Sequence, residues 1–432
     1  MTCELLPFYS LNNFELLKIL EPPSNRLNSI IKDSNFANHI KEILENKVVN
    51  YTDCQYYSEE RLNQVTKHDN IAISVLHLNI RSMDKHLGEL MALITNLNCK
   101  LDIITLTEIG MKNIANRIAT VRHTYNAEFV QPTANRFGGA CILIRKGIDY
   151  FPRNDLNLKC DHVEDVWVEC DIDNQKFVVG SVYRHPGSKI EMFKRSLEMV
   201  AFKVQNEKCR AVICGDFNID GCKIKVSLQT ANFYESLLAQ NFVPTISLPT
   251  RITEYSMTLI DNIFMKIDGK SDDEIMAGNI YSDISDHLPN FFFIKRKYKA
   301  STKIKIRPKV RLFGDKNFSN FAKIMEVCNW NDVYKNCDVN EMLDIFYKNY
   351  GVAFNKAFPL VRQSRKRSLD KIWLTSGIKK SLKKKAQLYK SYLDSPTQSN
   401  RERYKTYRNK VTCLLRKAER EYYEQKIDEK KK

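Results

Sequence analysis

The sequence predicts an α/β fold followed by a basic, mainly helical region, and three observations predict it. Between Ile71 and Lys297, short apolar runs rich in Val, Ile and Phe alternate with stretches whose apolar residues recur every three to four positions. Turn residues separate these runs. Beyond Lys297 the strand-like runs stop and Lys/Arg-rich helical patterns take over. At 432 residues the chain exceeds one ordinary domain. The expected division is an N-terminal extension over 1–70, partly ordered, an enzyme-sized domain over 71–297, and a basic helical linker region over 298–432.

The extension mixes short apolar patches with Asn-rich polar stretches and the break Glu21-Pro22-Pro23-Ser24. A helix is expected through His39–Leu44. Strands are predicted at Ile73–Leu78, Leu101–Leu106, Ala140–Ile144, Val166–Cys170, Phe177–Tyr183, Ala211–Cys214, Thr258–Phe264 and Asn290–Ile294. Helices are predicted at about 85–97, where Leu87, Leu90, Met91, Ile94 and Leu97 share a face, and at about 189–205 and 229–240. In the tail, one basic helix is expected over about 377–393, and a second begins after Pro396. Ser399 and Glu402 have capping-box spacing, and Tyr404, Tyr407, Val411, Leu414 or Leu415, Ala418 and Tyr422 form one apolar stripe.

Charge divides the chain as texture does. The net charge is +17, but residues 295–432 hold 37 Lys+Arg against 14 Asp+Glu, a net of +23, which leaves −6 for the rest. A polyanion held mainly by the tail fits that imbalance, and Tyr and Trp interleaved with Lys and Arg favour nucleic acid. The twelve cysteines include no C-x-x-C pair, and several lie in apolar runs, so they read as buried free thiols suited to a reducing compartment. No run approaches the ~20 apolar residues of a membrane span. A soluble intracellular protein of the nucleus or cytoplasm is expected. The phosphate-loop, dinucleotide, nucleophile-elbow and zincin motifs are absent, which removes kinase, dehydrogenase, serine hydrolase and zinc protease readings.

Polar residues recur where the apolar strands end, the place where sheets build sites. They are Asn79, Glu108, Tyr183 with Arg184 and His185, Asp216 with Asn218, Asp261, and Asp286 with His287. Each alone reads as a turn, a cap or a satisfied structural group. Together they supply what phosphodiester hydrolysis needs: oxygen ligands for a hard cation, a base for water, and donors for developing charge. Asn79, Glu108 and Asp286 can ligate Mg²⁺ or Mn²⁺. Asp216 can take the proton of water, while His287, Asn218 and Tyr183 stabilise the transition state and Asp261 orients His287. Arg81, Arg184 and Lys383, Lys384 and Lys385 are candidate nucleic-acid contacts.

The segments Leu78-Asn79-Ile80-Arg81-Ser82, Thr107-Glu108, Tyr183-Arg184-His185-Pro186, Gly215-Asp216-Phe217-Asn218, Leu259-Ile260-Asp261-Asn262 and Ser285-Asp286-His287 resemble, in this order, the endonuclease/exonuclease/phosphatase superfamily. More narrowly they resemble the endonuclease of non-LTR retrotransposons (LINEs) of the jockey and chicken-repeat kind. The resemblance covers about 225 residues. It implies a four-layer sandwich of two packed mixed sheets with helices outside, and a Mg²⁺-dependent enzyme that nicks DNA to leave a 3′-hydroxyl. It also implies a metal site at Asn79 and Glu108, a water-activating acid at Asp216, phosphate-binding groups at Asn218 and Tyr183, and a closing pair of Asp286 and His287 with Asp261 orienting His287. The tail, including Trp373-Leu374-Thr375-Ser376-Gly377, resembles the linker that precedes reverse transcriptase in such elements, and element RNA is a second expected partner. With no reverse-transcriptase motif before Lys432, a truncated or domesticated element is expected. Family members usually carry a Trp soon after the metal-binding Glu, whereas this chain reads Glu108-Ile109-Gly110-Met111-Lys112. An inactive nucleic-acid-binding remnant is therefore one alternative, and a phosphatase or phosphodiesterase acting on small or lipid phosphoesters is another.

Overall fold

The structure, a computed structural model, describes residues 50–431 apart from 68, 111–112, 133–136, 254, 268–273, 296–308, 312, 336–337 and 363–372. The helix expected at 39–44 lies outside the described residues. The described residues up to 299 and from 371 onward make one compact unit, and those within 300–370 make a second.

In chain order the first unit contains β1 (Asn50–Tyr57), α1 (Glu59–Val65), β2 (Ile71–Asn79), α2 (Met83–Asn96), β3 (Ile103–Thr107), α3 (Ile114–Val121), β4 (Tyr125–Val130), β5 (Ala140–Arg145), β6 (Asp149–Pro152), β7 (Val163–Ile172), β8 (Gln175–Arg184), α4 (Ile190–Gln205), β9 (Arg210–Asp216) and α5 (Leu228–Ala239). It continues with β10 (Phe242–Pro244), β11 (Arg251–Ile252), β12 (Met257–Thr258), β13 (Asp261–Lys266), β14 (Glu274–Ile280) and β15 (Asn290–Lys295). Two mixed sheets result, a seven-stranded one ordered β1-β14-β15-β2-β3-β5-β4 and a six-stranded one ordered β10-β13-β9-β8-β7-β6.

Strand alternation explains how they pack. In β2, Ile73 and Val75 join the cluster between the sheets, while Leu76 and Leu78 join the cluster beneath α2 and α3. Phe292 and Ile294 of β15 likewise face inward, and Phe291 and Phe293 face the helices. A strand buried on both faces reads as an unbroken apolar run, which is why these strands are conspicuous in sequence. On the far face of the six-stranded sheet, α4 and α5 bury Phe193, Leu197, Phe233 and Leu237. The mixed α/β architecture of two packed sheets with a helical C-terminal region is thus as the sequence led us to expect.

Each predicted strand is present, with Thr258 set apart in the short β12. Strands β4, β6, β10, β11 and β14 went unpredicted, being short, half-exposed or interrupted by Gly278, and β1 went unpredicted within the N-terminal extension. Residues before 71 contribute β1, which pairs in parallel with β14. Among the described residues the cysteines are free, and Cys54, Cys141, Cys170, Cys209 and Cys214 are buried.

Two C-terminal helices complete the first unit. Thr375 caps α9 (Ser376–Asp394), its Oγ1 accepting the Ile378 amide. Trp373, Leu374, Ile378 and Leu382 pack with Val411 and Leu415 of α10 (Gln398–Lys431) and with Ala92 of α2. In chain order α6 (Asp315–Glu326), α7 (Asn331–Tyr334) and α8 (Val339–Ala357) precede these two helices and belong to the second unit. The expected capping box at Ser399 does not form. The helix begins one residue earlier, Thr397 Oγ1 accepts the Asn400 amide at 3.3 Å, and Glu402 takes the Gln398 side chain instead. Of the two candidates for the apolar stripe, Leu415 is buried and Leu414 is exposed.

The second unit holds α6 (Asp315–Glu326), α7 (Asn331–Tyr334) and α8 (Val339–Ala357). It also contains a ladder of β16 (Lys309–Arg311) with β17 (Leu360–Arg362), which corrects the expectation that strands end at Lys297. Phe313, Phe318, Phe354 and Phe358 cluster there.

One buried carboxyl makes stability pH-dependent. Glu59, in the first turn of α1, is 9% exposed; burial, and then its neighbour Glu60, push it up to about 7. A folded pKa above the unfolded value means the contribution is intact below about 4.5 and is lost as pH rises through about 7. Glu59→Gln keeps an acceptor for Asn96 Nδ2, now 3.0 Å away. The variant should therefore melt with the parent at pH 5 and be more stable by on the order of 2 kcal/mol at pH 8. Thermal melts at the two pH values check this.

Candidate active site

Strand register brings together residues far apart in sequence. Asn79 at the end of β2 stands beside Thr107 of β3, and Glu108 follows directly. In the other sheet Tyr183 of β8 is paired with Asp216 of β9, and Asp216 is paired with Asp261 of β13. Gly215 permits this approach, since a Cβ there would lie 2.1 Å from Val182 O. His287 comes from the β14–β15 connection and bridges Arg251. Ser285 Oγ anchors that connection, donating to Asn79 O at 2.6 Å and accepting the His287 amide at 3.1 Å.

At this meeting of sheet ends the side chains form one polar network. Asn79 Nδ2 donates to Glu108 Oε1 and Asp216 Oδ2, each at 2.8 Å. The Tyr183 hydroxyl donates to Glu108 Oε1 at 3.3 Å. His287 Nδ1 lies 2.8 Å from Asp261 Oδ2. Asp286 is held by Arg251 Nε at 2.8 Å, and Arg81 stands between Asp286 at 3.0 Å and Glu108 at 3.6 Å. Asn218 donates its backbone amide to Asp216 Oδ1 and its side chain to Arg184 O, so in this arrangement it orients Asp216.

Electrostatics separates the two paired aspartates. Burial, followed by the charge of Asp261, pushes Asp216 up to about 7. Burial also opposes ionisation of Asp261, but the His287 charge and hydrogen bond outweigh it and hold Asp261 well below the usual carboxylate range. Burial would lower His287; Asp261 overcomes it and raises the imidazole to about 9, so His287 is cationic at neutral pH. Burial and then Glu108 raise the Tyr183 hydroxyl, which keeps it a donor.

Backbone conformation shows what holding these groups requires. Arg81, Glu108 and Asn218 have φ of 49°, 50° and 50°, in the left-handed region that costs a non-glycine residue about 1 kcal/mol or more. The two loops carrying Arg81 and Glu108 fix each other: Ile80 N donates to Thr107 O, Ser82 N to Glu108 O and Met83 N to Ile109 O, at 2.8–3.0 Å.

The donor set fits a hard divalent cation. Glu108, Asn79 and Asp286 offer oxygens, Asp286 Oδ1 is buried without a hydrogen bond, and Arg81 already serves as positive charge between Glu108 and Asp286. Asp216, Asp261 and His287 also offer atoms within 4.8 Å of one another. Since Asp261 and His287 bond each other, an oxygen-preferring ion is better served by Asp216 and the Glu108 side.

Two expected nucleic-acid contacts are placed otherwise. Arg184 is 2% exposed, and its guanidinium donates to the carbonyls of Phe217, Ser188 and Asn218, so it braces the loop that carries Asn218. Lys385 is buried between Glu89 at 2.6 Å and Asp283 at 3.1 Å. Lys383 pairs with Glu60 at 3.2 Å, whereas Lys384 is exposed. Sequence reasoning missed His77, Thr250 and Arg251. His77 Nε2 lies 3.7 Å from Asp261, and Thr250 Oγ1 donates to Asp261 at 2.6 Å. His77 was findable, because it precedes Asn79 by two on one strand and alternation puts both on the inner face.

Residues 76–287, just under half of the chain, match the model of the Endonuclease/Exonuclease/phosphatase family. The match supports the superfamily that the motif order resembles. Among solved structures, the endonuclease domain of TRAS1, a telomere-specific non-LTR retrotransposon, is 17% identical, with 51% of this chain and 97% of that chain covered and a TM-score of 0.39. A 3′-5′ exonuclease from Neisseria meningitidis is 14% identical, with 51% and 98% covered and a TM-score of 0.39. An AP endonuclease from Archaeoglobus fulgidus is 16% identical, with 51% and 99% covered and a TM-score of 0.38. No curated protein matches. Among the described residues no helix is long and apolar enough to cross a membrane.

Proposed function

We propose that the chain is a Mg²⁺- or Mn²⁺-dependent endonuclease that nicks DNA and leaves a 3′-hydroxyl, derived from a non-LTR retrotransposon. The observation that carries this reading is the convergence of Asn79, Glu108, Tyr183, Asp216 and the His287–Asp261 pair on one end of the two sheets. Glu108, Asn79 and Asp286 would hold the cation, which when bound supplies a Lewis acid for the phosphoryl group. Asp216 receives the proton of the attacking water, oriented by Asn79 and the Asn218 amide. Cationic His287, held by Asp261, donates to the phosphoryl oxygen whose charge grows, and Tyr183 supplies a second donor. Residues 71–297 would carry the chemistry and the basic region the affinity for DNA.

The test is conversion of supercoiled plasmid to open circle with Mg²⁺ and its loss with chelator; turnover of inositol phosphates without nicking would favour the phosphatase reading. Glu108→Gln removes a charge while keeping shape. It should slow nicking and raise the Mg²⁺ needed for half-maximal rate by at least about tenfold. A Mg²⁺ titration identical to the parent's would show that Glu108 is no ligand.

A further inference from the structure

We infer that the last helix, α10, builds the second bank of a groove that takes single-stranded nucleic acid continuous with the strand being cut. This rests on the nuclease reading. A cleft of about 1320 Å³ adjoins the candidate active site at its edge, where Arg81, Ser285 and Asp286 line it, with α10 on the other side. Arg401, Tyr404, Arg408, Thr412, Arg416 and Arg420 lie at spacings of three and four, one stripe of the helix, and all line the cleft.

The charge there is available. Arg408, Arg416 and Arg420 form no ion pair with a carboxylate among the described residues, and neither does Lys85 on the opposite bank. The acids that also line the cleft are largely met: Glu89 and Asp283 by Lys385, and Glu421 by Lys417 at 3.7 Å. One exposed ring stands beside the cations. Tyr255 is 88% exposed at the rim, whereas Tyr404 is 7% exposed, stacked with Tyr392 and covered by Arg408, and so forms part of the wall. A row of cations for phosphates with an exposed ring face for a base is the chemistry that binds single strands.

The experiment measures binding of the full chain to a labelled oligothymidylate and to a duplex by fluorescence anisotropy, in chelator so that nothing is cut. The Arg408→Ala/Arg416→Ala protein should bind oligothymidylate at least tenfold more weakly, and its log affinity should fall less steeply with log salt, by roughly 0.7 per lost contact. Arg403→Ala/Lys410→Ala removes two exposed cations of α10 outside the cleft and should change affinity by less than about twofold. Equal losses from both pairs would reduce the groove to bulk charge. A loss confined to the duplex would overturn single-strand binding. Plasmid nicking by the parent is scored separately, so failure of the nuclease reading and failure of the groove are told apart.

Discussion

His287→Ala should lower nicking turnover by on the order of 10²- to 10³-fold while leaving DNA affinity nearly unchanged, the effect of removing one preorganised donor. The reason lies in the pair as a unit. His287 Nδ1 is committed to Asp261 at 2.8 Å, so the ring cannot swing, and the same carboxylate keeps it cationic despite burial. Asp261 is itself fixed by Thr250 at 2.6 Å and flanked by His77. Truncation therefore deletes a donor aimed in advance, whose benefit grows as charge develops in the transition state. His287→Gln keeps a neutral donor and should recover part of the rate. Single-turnover kinetics with binding measured in parallel checks the split; a rate within threefold of the parent's would remove His287 from the chemistry.

Lys385→Ala should destabilise the protein by about 3–5 kcal/mol, the cost of leaving a buried charge without its partner. Lys385 is 2% exposed and lies between Glu89 of α2 and Asp283, whose side chains are 8% and 4% exposed. Burial would lower its pKa, but Asp283 and Glu89 overcome this and raise it. Without the ammonium, two carboxylates face each other in a dry site. The loss would be a large part of the 5–15 kcal/mol that ordinarily separates folded from unfolded. Urea denaturation measures it, and adding Glu89→Gln to Lys385→Ala should restore part of the stability. Denaturation at the parent's midpoint would show that water reaches the triad. Asp283 precedes Asp286 by three residues and also accepts from Tyr404 at 3.0 Å, so the C-terminal helices brace the loop that carries Asp286 and His287.

How much of this could be read in advance follows from the kind of signal each residue leaves. Strands sandwiched between a second sheet and helices, such as β2 and β15, must be apolar on both faces and stand out. Strand β4, exposed on one side, and β14, broken by Gly278, carry mixed composition and do not. The candidate site was legible because its polar residues sit at the ends of such runs. The roles of Arg184 and Lys385 were not, because a cation in sequence looks the same whether it meets phosphate or a carbonyl. Only burial tells them apart. The triad of Lys385 with Glu89 and Asp283 spans nearly 300 residues, a distance no local pattern encodes.

Strand β1 bears on how the nuclease-like part could be handled alone. It supplies the parallel neighbour of β14 through six paired positions from Asn50 to Tyr57, and its Tyr57 stacks edge-on against Phe291. A fragment begun at residue 71 would strip that cover and present the amides and carbonyls of Glu274–Ile280 to solvent as an open ladder. Such a ladder is a template for pairing with another chain, and this one is flanked by the apolar Phe291 and Phe293. Self-association of that fragment would then reflect a missing strand.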